Sequence, residues 1–365
     1  MQPSQLIEEG RRIATICNSC RYCEGLCAVF PAIEARRTFA EADLNYLANL
    51  CHNCTECLHA CPFGPPHPFE VNVPLTLARL RLSSYEEYCR PRVLGAAFRS
   101  QSIPAVLGIV SALIAALLAA TTLSRHRSLV GLGRHREFYD VVPHAVMAWA
   151  FGVVFLLVIA AMGISVACFV NASGRLSRAG RWRAIIAGLR DALRLKYLHG
   201  SGEDCSTAED TRTPWRRLFH HATLYGFALC FASTVTASLY ASFLHRSAPY
   251  PLFSLPVLLG MAGGIGLLVG PAGLWTIRAR RDPAAMDPQQ GGLDRSFILL
   301  LLLTSATGLT LLAFSGTGAM AILLIVHLAT VLALFLSLPY GKFMHGLYRA
   351  AALIRYADEC RMPEN

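Results

Sequence analysis

The chain has 365 residues and a formal net charge of +10, a length that suggests two or three domains. It is 54% hydrophobic and only 15% charged, where soluble proteins carry about 25% charged residues, so a wholly soluble protein is excluded. A basic balance can signal nucleic acid or a membrane surface. Here the arginines flank apolar segments, where they anchor helices and set orientation, and a nucleic-acid partner is set aside on that distribution.

Residues 1–100 are polar and loop-rich and hold eight of the thirteen cysteines in two boxes. The first runs Cys17-Asn18-Ser19-Cys20-Arg21-Tyr22-Cys23-Glu24-Gly25-Leu26-Cys27 and the second Cys51-His52-Asn53-Cys54-Thr55-Glu56-Cys57-Leu58-His59-Ala60-Cys61-Pro62. Both read C-x2-C-x2-C-x3-C, the bacterial ferredoxin spacing, in which the fourth cysteine ligates the other cluster. The spacing therefore predicts one [4Fe–4S] cluster on Cys17, Cys20, Cys23 and Cys61 and a second on Cys51, Cys54, Cys57 and Cys27. A pair of zinc sites is the competitor, but zinc usually takes four ligands in well-separated pairs. The first box departs from the pattern in being followed by Ala28, with proline only at Pro31. No secretory signal peptide precedes the boxes, so the head is expected in the reducing cytosol. Between them, Phe39, Leu44, Leu47 and Leu50 have helical spacing. The helical insert they imply resembles that of succinate dehydrogenase-like cluster subunits. His52, His59 and His67 read as surface or packing residues and Cys89 as an ordinary buried cysteine.

Six apolar runs follow, at 103–123, 142–170, 218–244, 253–275, 297–314 and 319–338, each near the length that crosses a bilayer. The fifth is the shortest. The basic residues alternate in side. Arg79, Arg81, Arg90, Arg92 and Arg99 precede the first span, ten basic residues from Arg175 to Arg217 follow the second, Arg278, Arg280, Arg281 and Arg295 follow the fourth, and Lys342, Arg349, Arg355 and Arg361 follow the sixth. The exception is Arg125, Arg127, Arg134 and Arg136 after the first span. The balance puts the head and the C-terminal tail, 346–365, in the cytoplasm, and the protein in a bacterial-type inner membrane. Gly260, Gly263, Gly264, Gly266 and Gly270 in the fourth span lack the strand and acidic residue of a dinucleotide loop and read as a close-packing face.

Ionisable residues inside spans are costly and default to function. His327 lies in the sixth span and His345 eighteen residues on, five full turns and roughly 27 Å away on an unbroken helix. Pro339 lies between them, where a proline kinks or breaks a helix. Both histidines are candidate axial ligands of haem b, one or two groups. By depth, His144 pairs with His327, and His221 or His220 with His345; His245 is the alternative on the far side. Neutral imidazole is a standard haem ligand.

The paired boxes, the run Tyr250-Pro251-Leu252-Phe253-Ser254-Leu255-Pro256-Val257-Leu258-Leu259-Gly260 and the run Leu338-Pro339-Tyr340-Gly341-Lys342-Phe343-Met344-His345 carry a likeness to a known family. With Phe219-His220-His221 and Pro143-His144 they resemble the family of tricarballylate utilization protein B, also called the CitB family, over nearly the whole chain. The resemblance implies reoxidation of the reduced flavin of a partner FAD-dependent tricarballylate dehydrogenase, with the electrons passing to the membrane. The membrane part is also similar to the haem-bearing gamma subunit of nitrate reductases.

The expectation is thus a mostly α protein: a two-cluster ferredoxin-like head, 1–100, and a six-helix transmembrane bundle, 101–345, resembling haem-b subunits. It would carry electrons from a flavoprotein through two clusters and haem to the membrane quinone pool. A transporter or redox sensor with a cluster head is the alternative, though the spans contain almost no buried carboxylates or broken-helix pairs. No nucleophile constellation or flavin loop marks an independent substrate-converting site.

Overall fold

The computed structural model describes residues 2–98, 103–125, 138–174, 176–178, 180–199, 205–206 and 212–361. Arg99, Arg127, Arg134, Arg136 and Arg175 lie outside them. The protein is mostly α-helical, and the described strands are the two-residue pair β1 (Cys205–Ser206) and β2 (Arg212–Thr213), antiparallel.

The head is built from α1 (Pro3–Cys20), α2 (Val29–Glu34), α3 (Glu41–Leu50), α4 (Glu56–His59), α5 (Val73–Tyr88) and α6 (Arg92–Phe98). The insert between the boxes is two helices, α2 and α3, broken where 35–40 leave helical structure. Local chemistry sets the ends. α1 stops at Arg21, whose φ of 53° is left-handed. Asn72 caps α5 by accepting from the Leu75 amide at 3.1 Å, as side-chain oxygens do for the orphan amides of a first turn. Leu44, Leu47 and Leu80 bury the apolar faces of α3 and α5 in one core.

The bundle comprises α7 (Ile103–Arg125), the short α8 (Phe138–Val141), α9 (His144–Ser173), α11 (Trp215–Phe243), α12 (Leu255–Ala279), α13 (Pro288–Ala313) and α14 (Met320–Ser337), with α10 (Arg181–Leu193) between α9 and α11. Six of these are long and apolar enough to cross a membrane, and the protein is a multi-pass membrane protein. The fifth span corrects the sequence-based expectation. It is not the shortest, because α13 starts nine residues earlier, at Pro288, and has 26 residues, whereas α14 has 18. The polar start is tolerated because Asp287 caps it, accepting from Gln289 and Gln290 at 3.0 and 3.1 Å. Asp294, about two turns further in, is paired to Arg278 and to Lys342. α11 and α12 pack backbone to backbone along Gly226, Gly263, Gly266 and Gly270, as small residues allow where no hydrophobic force drives helices together.

The helix through His327 does not continue to His345. α14 ends at Ser337, Leu338–Phe343 turn, and α15 (Met344–Glu359) is a separate helix. Pro339 lacks the amide that the ladder needs. The shared-face geometry of the two histidines is therefore lost. Most of the segment read as a tail is this helix, wedged between head and bundle with Tyr348 1% exposed. Tyr348 meets Tyr85 and Tyr88 of the head and Phe169 of α9. Arg36 reaches Glu359 at 2.6 Å, Tyr46 donates to the same carboxylate at 2.9 Å, Arg79 pairs with Asp287 at 3.3 Å, and the Arg90 amide donates to Ser165 at 3.1 Å. Head and C-terminal helix thus occupy the same end of the bundle.

A Cβ on Gly263 would lie 2.7 Å from the Cys230 backbone nitrogen, whereas Gly152 faces open space. Gly263→Val is expected to destabilise the protein by about 1–3 kcal/mol, the usual cost of overpacking, seen as a lowered thermal midpoint in detergent. Gly152→Val serves as the near-neutral control.

Candidate functional site

Cys17 and Cys20 sit on the last two turns of α1, and the turns after Arg21 carry Cys23 and Cys27 toward α2. Cys51 caps α3, its amide donating to Leu47 at 3.0 Å. The loop after it doubles back sharply, with Asn53 at φ 53° and Thr55 at φ 73°, conformations uncommon for residues with a side chain. Cys57 follows on α4 and Cys61 just beyond it. The Asn53 amide donates to the Cys51 sulfur at 3.3 Å.

The thiols sort into two adjoining groups by which neighbours act on each. Burial first, and then Cys23, Cys61 and Cys20, push Cys17 up to about 12. Burial, Cys61, Cys20 and Glu56 push Cys23 up to about 11. Burial with Cys54 and Cys51 pushes Cys27 well up, and Cys57 responds likewise to burial, Cys54, Cys51 and Cys27. Cys57 also feels Cys23, so the groups are neighbours. Thiols held like this become ligands only when a positive centre compensates the thiolates. Among the described residues no group of three or more His, Cys, Asp or Glu side chains is placed to hold a single metal ion. The donor set, eight cysteines in two boxes of four, is the chemistry that iron–sulfur clusters take.

The second group abuts a cavity of about 150 Å³ between head and bundle. On that measure one water needs about 10–15 Å³, so there is room for a bound group. Its floor is apolar, made by Pro271, Leu274, Ile277, Phe297, Ile298 and Leu301. Pro271 sits inside α12, where it removes a ladder hydrogen bond. The head side is polar, with His52, Asn53, Arg81, Arg216, Arg281 and Arg349. Asp294 and Lys342 close one wall, paired at 2.7 Å, and burial pushes the Lys342 ammonium down to about 8 while Asp294 opposes that shift.

His220 and His345 both line this cavity. The Nδ1 of His220 lies 3.0 Å from the Arg216 carbonyl, and that of His345 hydrogen-bonds the Lys342 carbonyl. A ring held through Nδ1–H presents its Nε2 lone pair, the usual support of a metal-ligating imidazole. Burial and then the nearby Lys342 and Arg349 charges hold His345 well below its usual range, in the neutral form that ligates. The other candidates lie elsewhere. His221 stacks on Tyr225 at 5.6 Å. His327 faces α13, with Nδ1 3.0 Å from the Thr307 hydroxyl and its ring against Gly308. His144 meets Tyr139 edge-on at 5.0 Å near the start of α9, and His245 is exposed. These contacts bring His220 and His345 together and do not join His144 to His327.

Sequence reasoning missed the cavity's charged wall. Position beside apolar runs assigns Arg216, Arg281 and Arg349 to topology, and His52 to the surface or to packing; the structure places all four on the cavity wall. The available signal was that Arg216 and Arg349 each lie four residues from a candidate histidine, one helical turn along.

The profile of the family described as citrate utilization protein B matches residues 99–365. The profile of the citrate utilization protein B Fer4-like domain matches residues 10–87. "Citrate utilization protein B" of Escherichia coli is 49% identical over 358 residues, covering 97% of this chain and 92% of that protein. No solved structure matches. Agreement along nearly the whole chain, head and bundle alike, leaves one assignment: the chain belongs to the citrate utilization protein B family.

Proposed function

We propose that this protein is the membrane electron carrier of a polycarboxylate-oxidising system. It would reoxidise the reduced flavin of a tricarballylate dehydrogenase-like, FAD-dependent partner and deliver the electrons to the membrane quinone pool. The observation that carries this reading is the wiring of the site. The loop holding Cys51 and Cys54 forms part of the wall of the cavity in which His220 and His345 meet. The name of the Escherichia coli relative refers to citrate, which supports a tricarboxylate as the substrate class of the partner.

In this reading Cys17, Cys20, Cys23 and Cys61 hold one [4Fe–4S] cluster, Cys27, Cys51, Cys54 and Cys57 the other, and His220 with His345 a haem b. When bound, these groups supply one-electron acceptors in series, which match a two-electron flavin donor to the membrane. The chain's own residues do the rest. α1 and α3 present the sulfurs, burial of Cys51, His52, Asn53 and Thr55 keeps water from the inner group, and the backbone carbonyls of Arg216 and Lys342 aim the imidazoles. The apolar floor suits a porphyrin face and the cationic wall its carboxylates. Tyr22, 68% exposed beside Cys23, marks the outward face of the first box as the side open to a soluble donor. The concentration of basic residues at the head end of the bundle supports a cytoplasmic head in an inner membrane.

Visible spectra of the anaerobically purified protein, oxidised and dithionite-reduced, test this together with iron and acid-labile sulfide. The expected result is about eight labile irons, as two cubes require, plus sharp reduced b-type haem bands. Absence of labile sulfide sinks the cluster reading; clusters without haem sink the histidine assignment.

The geometry separates adjacent histidines. His220→Ala and His345→Ala are each expected to abolish the haem bands while leaving labile sulfide intact, and His221→Ala to leave both. Haem lost in His221→Ala and kept in His220→Ala would reverse the assignment.

A further inference from the structure

The two cysteine groups sit in different electrostatic surroundings. Four guanidiniums from four elements converge on the chain around Cys51. From α5, Arg81 donates to the carbonyls of Ala48 at 2.7 Å and Cys51 at 2.6 Å. From α15, Arg349 donates to Cys51 at 2.6 Å and Asn49 at 3.4 Å. From α11, Arg216 donates to His52 at 2.8 Å and Asn53 at 3.0 Å. From the loop after α12, Arg281 donates to Asn53 at 2.6 Å. Arg81 is 3% exposed, so solvent screens its charge little. Arg81 and Arg349 both bond the carbonyl of Cys51 itself, which places two cations on a residue of the ligand set. Backbone amides add to this, with Asn53 donating to the Cys51 sulfur at 3.3 Å and Val29 and Phe30 directed at Cys27.

The first box has a different setting. The guanidinium on its own chain is that of exposed Arg21, on the Asn18 carbonyl at 3.3 Å, and the carboxylate of Glu56, on the chain of the second box and lining the pocket of Cys51, Cys54 and Cys57, is shared by the two groups. Cluster potentials are set by net charge, hydrogen bonds to sulfur and exposure; the cations and the amide bonds favour reduction of the inner group, and they act against its deeper burial, which disfavours added negative charge.

We propose that Arg81, Arg216, Arg281 and Arg349 are positioning residues that raise the reduction potential of the cluster on Cys27, Cys51, Cys54 and Cys57 above that of the cluster on Cys17, Cys20, Cys23 and Cys61. The inference rests on the two-cluster reading above. The change concerned is one electron, supplied by a reduced flavin, with no bond made or broken: reduction adds one negative charge, and the fixed cations stabilise it where they stand. The outer group then becomes the entry and the inner group the exit toward the bundle.

A redox titration followed by electron paramagnetic resonance on the full cluster-loaded protein in detergent tests this. Two midpoints are expected, the higher perturbed by Cys57→Ser and the lower by Cys20→Ser. Arg349→Gln should change the oxidised-to-reduced ratio of the higher-potential cluster at least tenfold, about 59 mV for one electron, and leave the lower one in place. Arg349→Lys, which keeps the charge, should recover most of that shift. Arg281→Gln, on a different element, should act in the same direction and gives the same reading if Arg349→Gln fails to retain its clusters. Equal shifts in both clusters, no shift in either, or a higher midpoint that follows Cys20→Ser overturns the proposal while leaving the two-cluster reading standing. Absence of any cluster signal in the unsubstituted protein overturns that reading and this inference together.

Discussion

Everything else in the molecule is arranged around one problem: the backbone carbonyls at the end of α3 and in the loop beyond it. A helix leaves its last carbonyls without partners, and here the next residues double back through Asn53 and Thr55 to present cysteines rather than pair with a neighbour. These carbonyls are buried, and an unpaired buried polar group costs on the order of 1–3 kcal/mol. Guanidiniums from the bundle and from α5 take them up. Cations at a helix C-terminus are also favoured by its dipole, so the same contacts stabilise the end of α3 and hold the head to the bundle.

That solution explains why ionic groups penetrate so far toward the apolar region. Arg278, Asp294 and Lys342 would each be expensive at a span end alone, but together they form a paired wall beside the cavity. The aromatic cluster of Tyr85, Tyr88, Phe169 and Tyr348 seals the other side of the junction. Head, bundle and last helix share one continuous core, so this is a single packed body and not a ferredoxin on a flexible tether.

Much of this was legible beforehand. The cysteine boxes carry their own geometry, because thiolate spacing is a covalent constraint that tertiary context can only accept. The spans were visible because the bilayer sets a length. What lay beyond reach was rotational. His220 and His221 are one residue apart, about 100° around a helix, and only the packing of α11 against α12 decides which faces the cavity. The early start of α13 was hidden because the stretch before Phe297 is polar, and its helix depends on the Asp287 cap and on the partners of Asp294. Charge beside an apolar run is equally what topology demands, and for Arg216, Arg281 and Arg349 a partner loop more than a hundred residues away leaves no local trace.

The contacts that α15 makes across the chain have a consequence for how the protein is assembled. Arg36 meets Glu359 over a separation of 323 residues, and Arg349 reaches Cys51 over 298. The cysteine boxes leave the ribosome first, yet the inner ligand loop obtains its last cation only when the final helix has been synthesised and every span before it inserted. Until then the carbonyls of Asn49 and Cys51 lack the Arg349 guanidinium. Arrival of α15 completes the contacts that hold head to bundle, so the junction is the last part of the molecule to be assembled.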